Sequence, residues 1–328
     1  MTLVVCLPGL DPRAYQPHAL HGSQRNWPET NCYVDLWIEV LHARGLPPEA
    51  ALGFTVTQDF EGDQFTFFKF PPEDLAQLFA IGVQELAIYD RVETHAIEQT
   101  QRGRMVLIEV DSFYLPDTQG TSYGVTHGKT TIAINHLDAT ARELHYFHNA
   151  GYFALAGADF DGIFRADVEP GSAAAALFPY VEFVKFDVGK AASALRDTAV
   201  KLLRQHLRNR PATNPLRAFQ QAFPAHVLLL AQRPMEFFHL YAFNTLRQIG
   251  ANFELLASHI AWLTQQGEVG LESAMTAANE IASGAKVLQF QLARAVTRKK
   301  FASFTEALQP LIAAYDTTIG ILVTRYGE

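Results

Sequence analysis

The sequence predicts an α+β domain over residues 1–188 followed by an all-α helical domain over residues 189–328. Three observations carry this. The 328 residues suffice for about two domains of ~100–200 residues each. Up to about residue 188 an apolar helix is followed by short apolar or alternating runs, the order of an α+β unit. Beyond it alternation disappears and apolar residues recur at helical spacing. Apolar residues make up 48% and charged residues 18%, so the chain can bury sizeable cores and is neither disordered nor fibrous.

Residues 1–30 read as loop, punctuated by Pro8, Pro12, Pro17, Gly22 and Pro28. A helix is predicted from about Cys32 to Arg44. Its polar positions Asp35, Glu39 and His42 recur at helical spacing, and Gly45 supplies the stop. Residues 51–57 and 64–70 read as short strands, Pro71 and Pro72 open a helix over 72–81, and 87–89 reads as a strand. A short helix is predicted from His95 to Arg102. After Gly103, residues 104–111 form a strongly apolar strand, followed by a loop over 114–123. Thr130–Asn135 and Leu144–His148 flank a polar turn near 138–142 and read as an antiparallel hairpin. Residues 157–186, with the small-residue run 171–176, read as a less regular connection. Six helices are expected after that: 191–207, 215–230, 234–249, 252–265, 271–298 and 303–325. Pro215 and Pro234 open two of them, and Gly250 and Gly267 end two.

The chemistry centres on Cys32, where a polar loop turns into an apolar helix. A thiol there feels the positive end of the helix dipole, which favours the nucleophilic thiolate. The same residue can also serve as a small core side chain. A nucleophilic Cys needs a base, a group that orients the base, and an oxyanion hole. His127 precedes one strand of the hairpin and Asn149 follows the other, which makes His127 the expected base and Asn149 the expected orienter. His148 is an alternative orienter, and His136 or His145 an alternative base. A Cys-bearing helix, then a strand opened by His, then a strand closed by Asn is the chain order of papain-like enzymes. Gln24 and Asn26, just upstream of Cys32, are the expected oxyanion side-chain donors.

Asp59, Glu61 and Asp63 stand at alternate positions, hence on one face if extended. They suit a pocket for a cationic group such as an α-amine, or simply a solvated face. Their spacing is not that of a calcium loop. Glu109 and Asp111 share a strand face in the same way. Lys129 suits a phosphopantetheine or carboxylate group, or an ordinary surface.

Residues 31–149 resemble the papain-like cysteine-peptidase fold in the version seen in the N-terminal domain of the butirosin biosynthesis H family. The resemblance rests on the Asn31-Cys32 helix start, the strand and loop Ile108-Glu-Val-Asp-Ser-Phe-Tyr-Leu-Pro116, and the hairpin. It implies transfer of an aminoacyl group from a carrier-protein thioester to an amine. Most of the chain is similar to a bacterial family, domain-of-unknown-function family 1839, associated with gene neighbourhoods of amino acid:carrier-protein ligases. That similarity rests on Asp59-Phe-Glu-Gly-Asp-Gln64, Glu109-Val-Asp111, Leu115-Pro-Asp-Thr118, His127-Gly-Lys-Thr-Thr131 and Tyr146-Phe-His-Asn-Ala-Gly-Tyr152.

The expected function is therefore a cysteine-dependent aminoacyl or acyl transferase working through an acyl-enzyme on a carrier-protein thioester. An amidase or thioesterase on the same site is the first alternative, and a non-catalytic partner of a carrier protein or ligase the second. No cofactor and no metal is expected. A net charge of −8 disfavours nucleic acid and anionic membranes as partners; a homo-oligomer remains compatible. Two cysteines make no disulfide framework, and neither a signal peptide nor an apolar stretch of transmembrane length is read, so a cytoplasmic protein is expected. Glu236-Phe-Phe-His239 is half of a di-iron motif without its second copy and reads as a polar pair on a helix.

Overall fold

A computed structural model describes residues 3–168, 179–189, 191–301 and 304–327. The small-residue run 171–176 lies outside the described residues. The chain divides into two compact units. The first contains residues 1–22, 31–47 and 75–192; the second contains 23–30, 48–74 and 193–328. The second unit is thus not only the C-terminal helices. It also takes two segments from the N-terminal part of the chain.

The first unit is built on an antiparallel sheet of seven strands: β1 (Leu3–Val5), β2 (Gly82–Glu85), β3 (Met105–Asp111), β4 (Lys129–Asp138), β5 (Glu143–His148), β6 (Gly151–Ala156) and β7 (Val181–Lys185). The order is β2-β7-β3-β4-β5-β6, with β1 paired to the far end of β4. The apolar run 105–110 lies at the centre because both of its faces are covered. Val106, Ile108 and Val110 join Ile132, Ile134, Tyr146, Phe160 and Phe183 in one buried cluster. That cluster also takes Val92 and Ala96 of α3 (Val92–Gln101) and Ile163 of α4 (Ala158–Phe164). A third helix, α1 (Cys32–Ala43), packs on β4, β5 and β6.

The start and end of α1 are set locally. The Asn31 side chain accepts from Val34 N–H at 3.0 Å, an N-cap bond. Gly45, at φ 68°, ends the helix, and Leu46 N–H returns to Leu41 O. Two of its three polar positions are not solvated: Asp35 and Glu39 are 1% and 0% exposed. His21 lies between them, bonded through Nδ1 to Glu39 and 3.3 Å from Asp35 through Nε2. Tyr15 OH donates to Glu39 Oε2 at 2.5 Å, and His18 N–H donates to Glu39 Oε1 at 3.0 Å. The N-terminal loop is a strap held on a carboxylate helix face. Burial alone would lower the His21 pKa, but the bonds to Asp35 and Glu39 outweigh it and raise it to about 9.

Several elements differ from expectation. Residues 48–57 form a 3-10 helix rather than a strand, and 64–70 form no strand beyond the Phe60–Phe65 bridge. β2 and α3 bracket the strand expected at 87–89, and the expected connection over 157–186 contains α4 and β7. The helix expected over 72–81 is α2 (Pro72–Phe79).

The helices of the second unit are α5 (Leu195–Arg208), α6 (Pro215–Ala231), α7 (Met235–Asn244), α8 (Leu246–Gln265), α9 (Glu272–Arg298) and α10 (Gln309–Tyr326). The break between α7 and α8 falls at Thr245, not at Gly250. Gly250 is inside α8 because Trp27 packs on it: a Cβ there would stand 2.3 Å from the indole. Trp27 is 1% exposed, and its indole N–H donates to Ala282 O at 3.0 Å. The stretch Thr305–Tyr326 has a mean hydropathy of 1.2 and is long and apolar enough by composition to cross a membrane. It buries Leu311, Ile312, Tyr315 and Leu322 inside the unit.

Candidate functional site

Residues opposite one another in an antiparallel pair project to the same face. Glu109 pairs with Thr131, and Asp111 with Lys129. These four therefore share one face at the end of β3 and the beginning of β4. The Cys32 thiol at the start of α1 reaches the same face, donating to Thr131 Oγ1 at 3.8 Å. A polar strip thus runs from Cys32 through Thr131 and Glu109 to Lys129 and Asp111.

At its far end His127 Nδ1–H donates to Asp111 Oδ2 at 2.5 Å. The ring stacks on Phe113, with centroids 4.5 Å apart and planes 11° apart. Asp111 also accepts from Gly128 N–H and Phe113 N–H, each at 3.0 Å. Partial burial opposes the charge on Asp111. The His127 bond and the two backbone donors outweigh it, and the carboxyl is held below its usual range. Lys129 Nζ is 2.7 Å from Glu109 Oε1. With Arg165 and Asp167 these groups line a cleft of about 660 Å³, whose apolar wall is Val110, Tyr114 and Ile163. That volume falls in the range of ligand clefts, roughly 300–1,000 Å³. His127 is 69% exposed, so Nε2 is free to meet a ligand. An imidazole fixed by a carboxylate, next to mixed charges in an open cleft, is equipped for general acid–base chemistry.

The expected catalytic set is only partly assembled. Cys32 is bonded to Thr131 and not to His127. His127 precedes Thr131 by four residues, about 13 Å along an extended strand. Asn149 does not orient His127. It occupies the two-residue turn between β5 and β6, at φ 44°, a conformation Asn tolerates better than most residues. Asp111 fills the orienting role instead. Gln24 and Asn26 belong to the second unit. There the carboxylate of Glu254 accepts from Asn26 N–H at 2.9 Å and from Trp27 N–H at 2.8 Å, while Gln24 is exposed. Asp59, Glu61 and Asp63 do not share a strand face, because the Phe60–Phe65 bridge closes a tight turn through Gly62 at φ 98°. Asp59 Oδ1 caps Phe60 N–H, and Glu61 and Asp63 are exposed.

One relay was legible only as residue types. His148 Nδ1–H donates to Asp117 Oδ2 at 2.6 Å, and the Thr130 hydroxyl lies 2.8 Å from His148 Nε2. Tyr146 OH donates to Asp117 Oδ1 at 2.5 Å. The Thr130, His148 and Asp117 side chains are buried, so the relay pins the 115–118 loop to β4 and β5. Asp117 lies in the Leu115-Pro-Asp-Thr118 motif and His148 in the Tyr146–Tyr152 motif. Sequence marked both, but their pairing required the fold.

The fold and the cleft together define an α+β unit with a carboxylate-held histidine at the end of an antiparallel sheet, accompanied by a helical unit. The chain belongs to the DUF1839 family: residues 16–186 match the DUF1839 N-terminal domain and residues 192–324 the DUF1839 C-terminal domain. No curated protein matches the chain.

Proposed function

We propose that the chain catalyses acyl or aminoacyl transfer from a carrier-protein thioester, with His127 and Asp111 as its proton-transfer pair. The observation that carries this reading is His127, fixed through Nδ1 and open at Nε2 in a cleft with charges of both signs. Nε2 takes a proton from an acceptor amine as the nitrogen lone pair attacks the thioester carbonyl. The C–S bond then breaks, and the departing thiolate recovers the proton from His127. Asp111 holds the tautomer and stabilises the imidazolium between the two steps. Glu109 and Asp167 suit the ammonium of an aminoacyl group, and Lys129 and Arg165 suit the phosphate of a carrier arm. With water as acceptor the same steps give a thioesterase; with an amide in place of the thioester the C–N bond breaks instead, the departing amine takes the proton from His127, and the outcome is an amidase.

A second reading makes Cys32 the acyl-carrying nucleophile of a papain-like, cysteine-peptidase-type unit. It is favoured by the position of Cys32 as the first residue of a helix packed on the sheet, on the face that carries the polar strip. The free thiols of Cys6 and Cys32 suit a reducing compartment such as the cytoplasm.

The test is incubation with aminoacylated carrier protein, read by intact mass of both proteins. Loss of acyl from the carrier that is abolished by His127→Gln and retained by Cys32→Ser supports the direct route. An acyl adduct on the chain, absent in Cys32→Ser, supports the covalent route. A carrier left acylated by the wild-type chain with every acceptor offered overturns both, and leaves a non-catalytic partner as the reading.

A further inference from the structure

We infer that β4 and β5 carry a binding site for a zinc-class divalent metal, formed by His136, Glu143 and His145. The three residues offer ligand atoms that all lie within 4.8 Å of one another, and they are the one such group of His, Cys, Asp and Glu among the described residues. The strand register assembles them. His136 stands directly opposite His145, and Glu143 is two residues from His145, hence on the same face. A register irregularity between Ile134 and His136 brings the two imidazoles level. Asn135 falls in that step, and its side chain is occupied elsewhere, with Leu7 and Tyr152.

The donors lie side by side. The two rings stack with centroids 4.3 Å apart and planes 19° apart. His145 Nε2–H donates to Glu143 Oε1 at 2.7 Å, so carboxylate and imidazole already converge. His136 Nε2 is buried and has no hydrogen-bond partner among the described residues. A buried imidazole nitrogen without a partner is a cost that a bound cation removes. Tetrahedral coordination at ~2.0–2.1 Å requires donors about 3.3 Å apart with their in-plane lone pairs aimed at one point, so binding turns at least one ring out of the stack.

Two imidazoles and one carboxylate select zinc, cobalt or nickel over magnesium and calcium, which prefer all-oxygen sets. Three protein ligands leave the fourth position to water. The site is distinct from the His127 cleft: His136 lies nine residues from His127, toward the opposite end of β4. The metal would tie β5 to β4 at the place where β1 pairs to β4.

The test is titration of chelator-treated protein with Co²⁺, read by its visible absorption, followed by competition with Zn²⁺. One saturable equivalent with tetrahedral bands, displaced by Zn²⁺, and a rise in melting temperature with Zn²⁺ are expected. His136→Gln and His145→Asn each abolish the bands and the melting shift, and Glu143→Gln weakens binding at least tenfold. His239→Ala, on an exposed face of α7, changes nothing. Melting of each variant without metal identifies any that fails to fold, and Glu143→Gln then carries the comparison. Absence of a saturable equivalent, or binding unchanged in His136→Gln and Glu143→Gln, overturns the site.

Discussion

A histidine whose Nδ1 is tied to a carboxylate has one nitrogen left for chemistry, and at His127 that nitrogen is Nε2. Replacing Asp111 with Asn removes the acceptor that fixes the tautomer without removing the ring. Asp111→Asn is expected to lower the transfer rate by about 10²–10⁴, as much as His127→Gln. Steady-state kinetics on an aminoacyl carrier protein would show this, and retention of more than half the activity would count against the pairing. The Asp111 carboxyl titrates below its unfolded value. Its contribution to stability is therefore present above about pH 4 and is lost as pH falls through the lower folded value. His21 has the opposite sign. Its folded pKa is raised from 6.5 to about 9, so its contribution is complete below about 6.5 and is lost as pH rises through 9. The wild-type chain should lose stability on that alkaline limb, and His21→Asn should flatten it. The same substitution should cost about 3–5 kcal/mol at neutral pH, because it removes the cation shared by two buried carboxylates. Denaturant melts across pH measure both effects.

Helix α1 and helix α8 were legible in different degrees. The cap and stop of α1 are local: an Asn side chain reaches Val34 N–H, and Gly45 takes a left-handed turn. Adjacent residues suffice to specify such events, and the predicted bounds fall within a residue of those observed. Gly250 is different. As sequence it reads as a helix stop, but it lies in the interior of α8 under Trp27, more than 200 residues away. Nothing local distinguishes a glycine that ends a helix from one that admits an indole. Gly250→Ala should therefore destabilise the second unit by about 1–3 kcal/mol through overpacking, although alanine is the better helix former. A neutral or stabilising result in denaturant melts would refute the packing account. In the 3-10 segment 48–57, Glu49 O accepts from His259 Nδ1–H at 2.7 Å. Burial lowers the His259 pKa to about 4. The unfolded chain takes up that proton near 6.5, so stability should fall as pH drops from 6.5 toward 4, and less so in His259→Gln.

Across the whole chain, the boundary between the two matched family domains lies between residues 186 and 192, while the second compact unit reaches back to residues 23–30 and 48–74. Those segments supply Trp27 against Gly250 and Phe60 and Phe65 against Phe219. A fragment of residues 192–328 should accordingly keep helical far-UV dichroism, lose near-UV dichroism and bind a hydrophobic dye. A fragment that unfolds as cooperatively as the full chain would contradict this. Periodicity, caps and composition were enough for the α+β-then-α order, the β4–β5 hairpin and most helices, because each depends on neighbours a few residues apart. The residue types of the candidate site, Cys32, His127, Asp111, Glu109 and Lys129, could be named for the same reason. Which of them meet depended on strand register. A register is decided by which faces find cover and where a bulge falls, and one residue of slip moves a side chain to the other face. Register set Asp111 beside His127 and Thr131 beside Cys32, and it aligned His136 with His145.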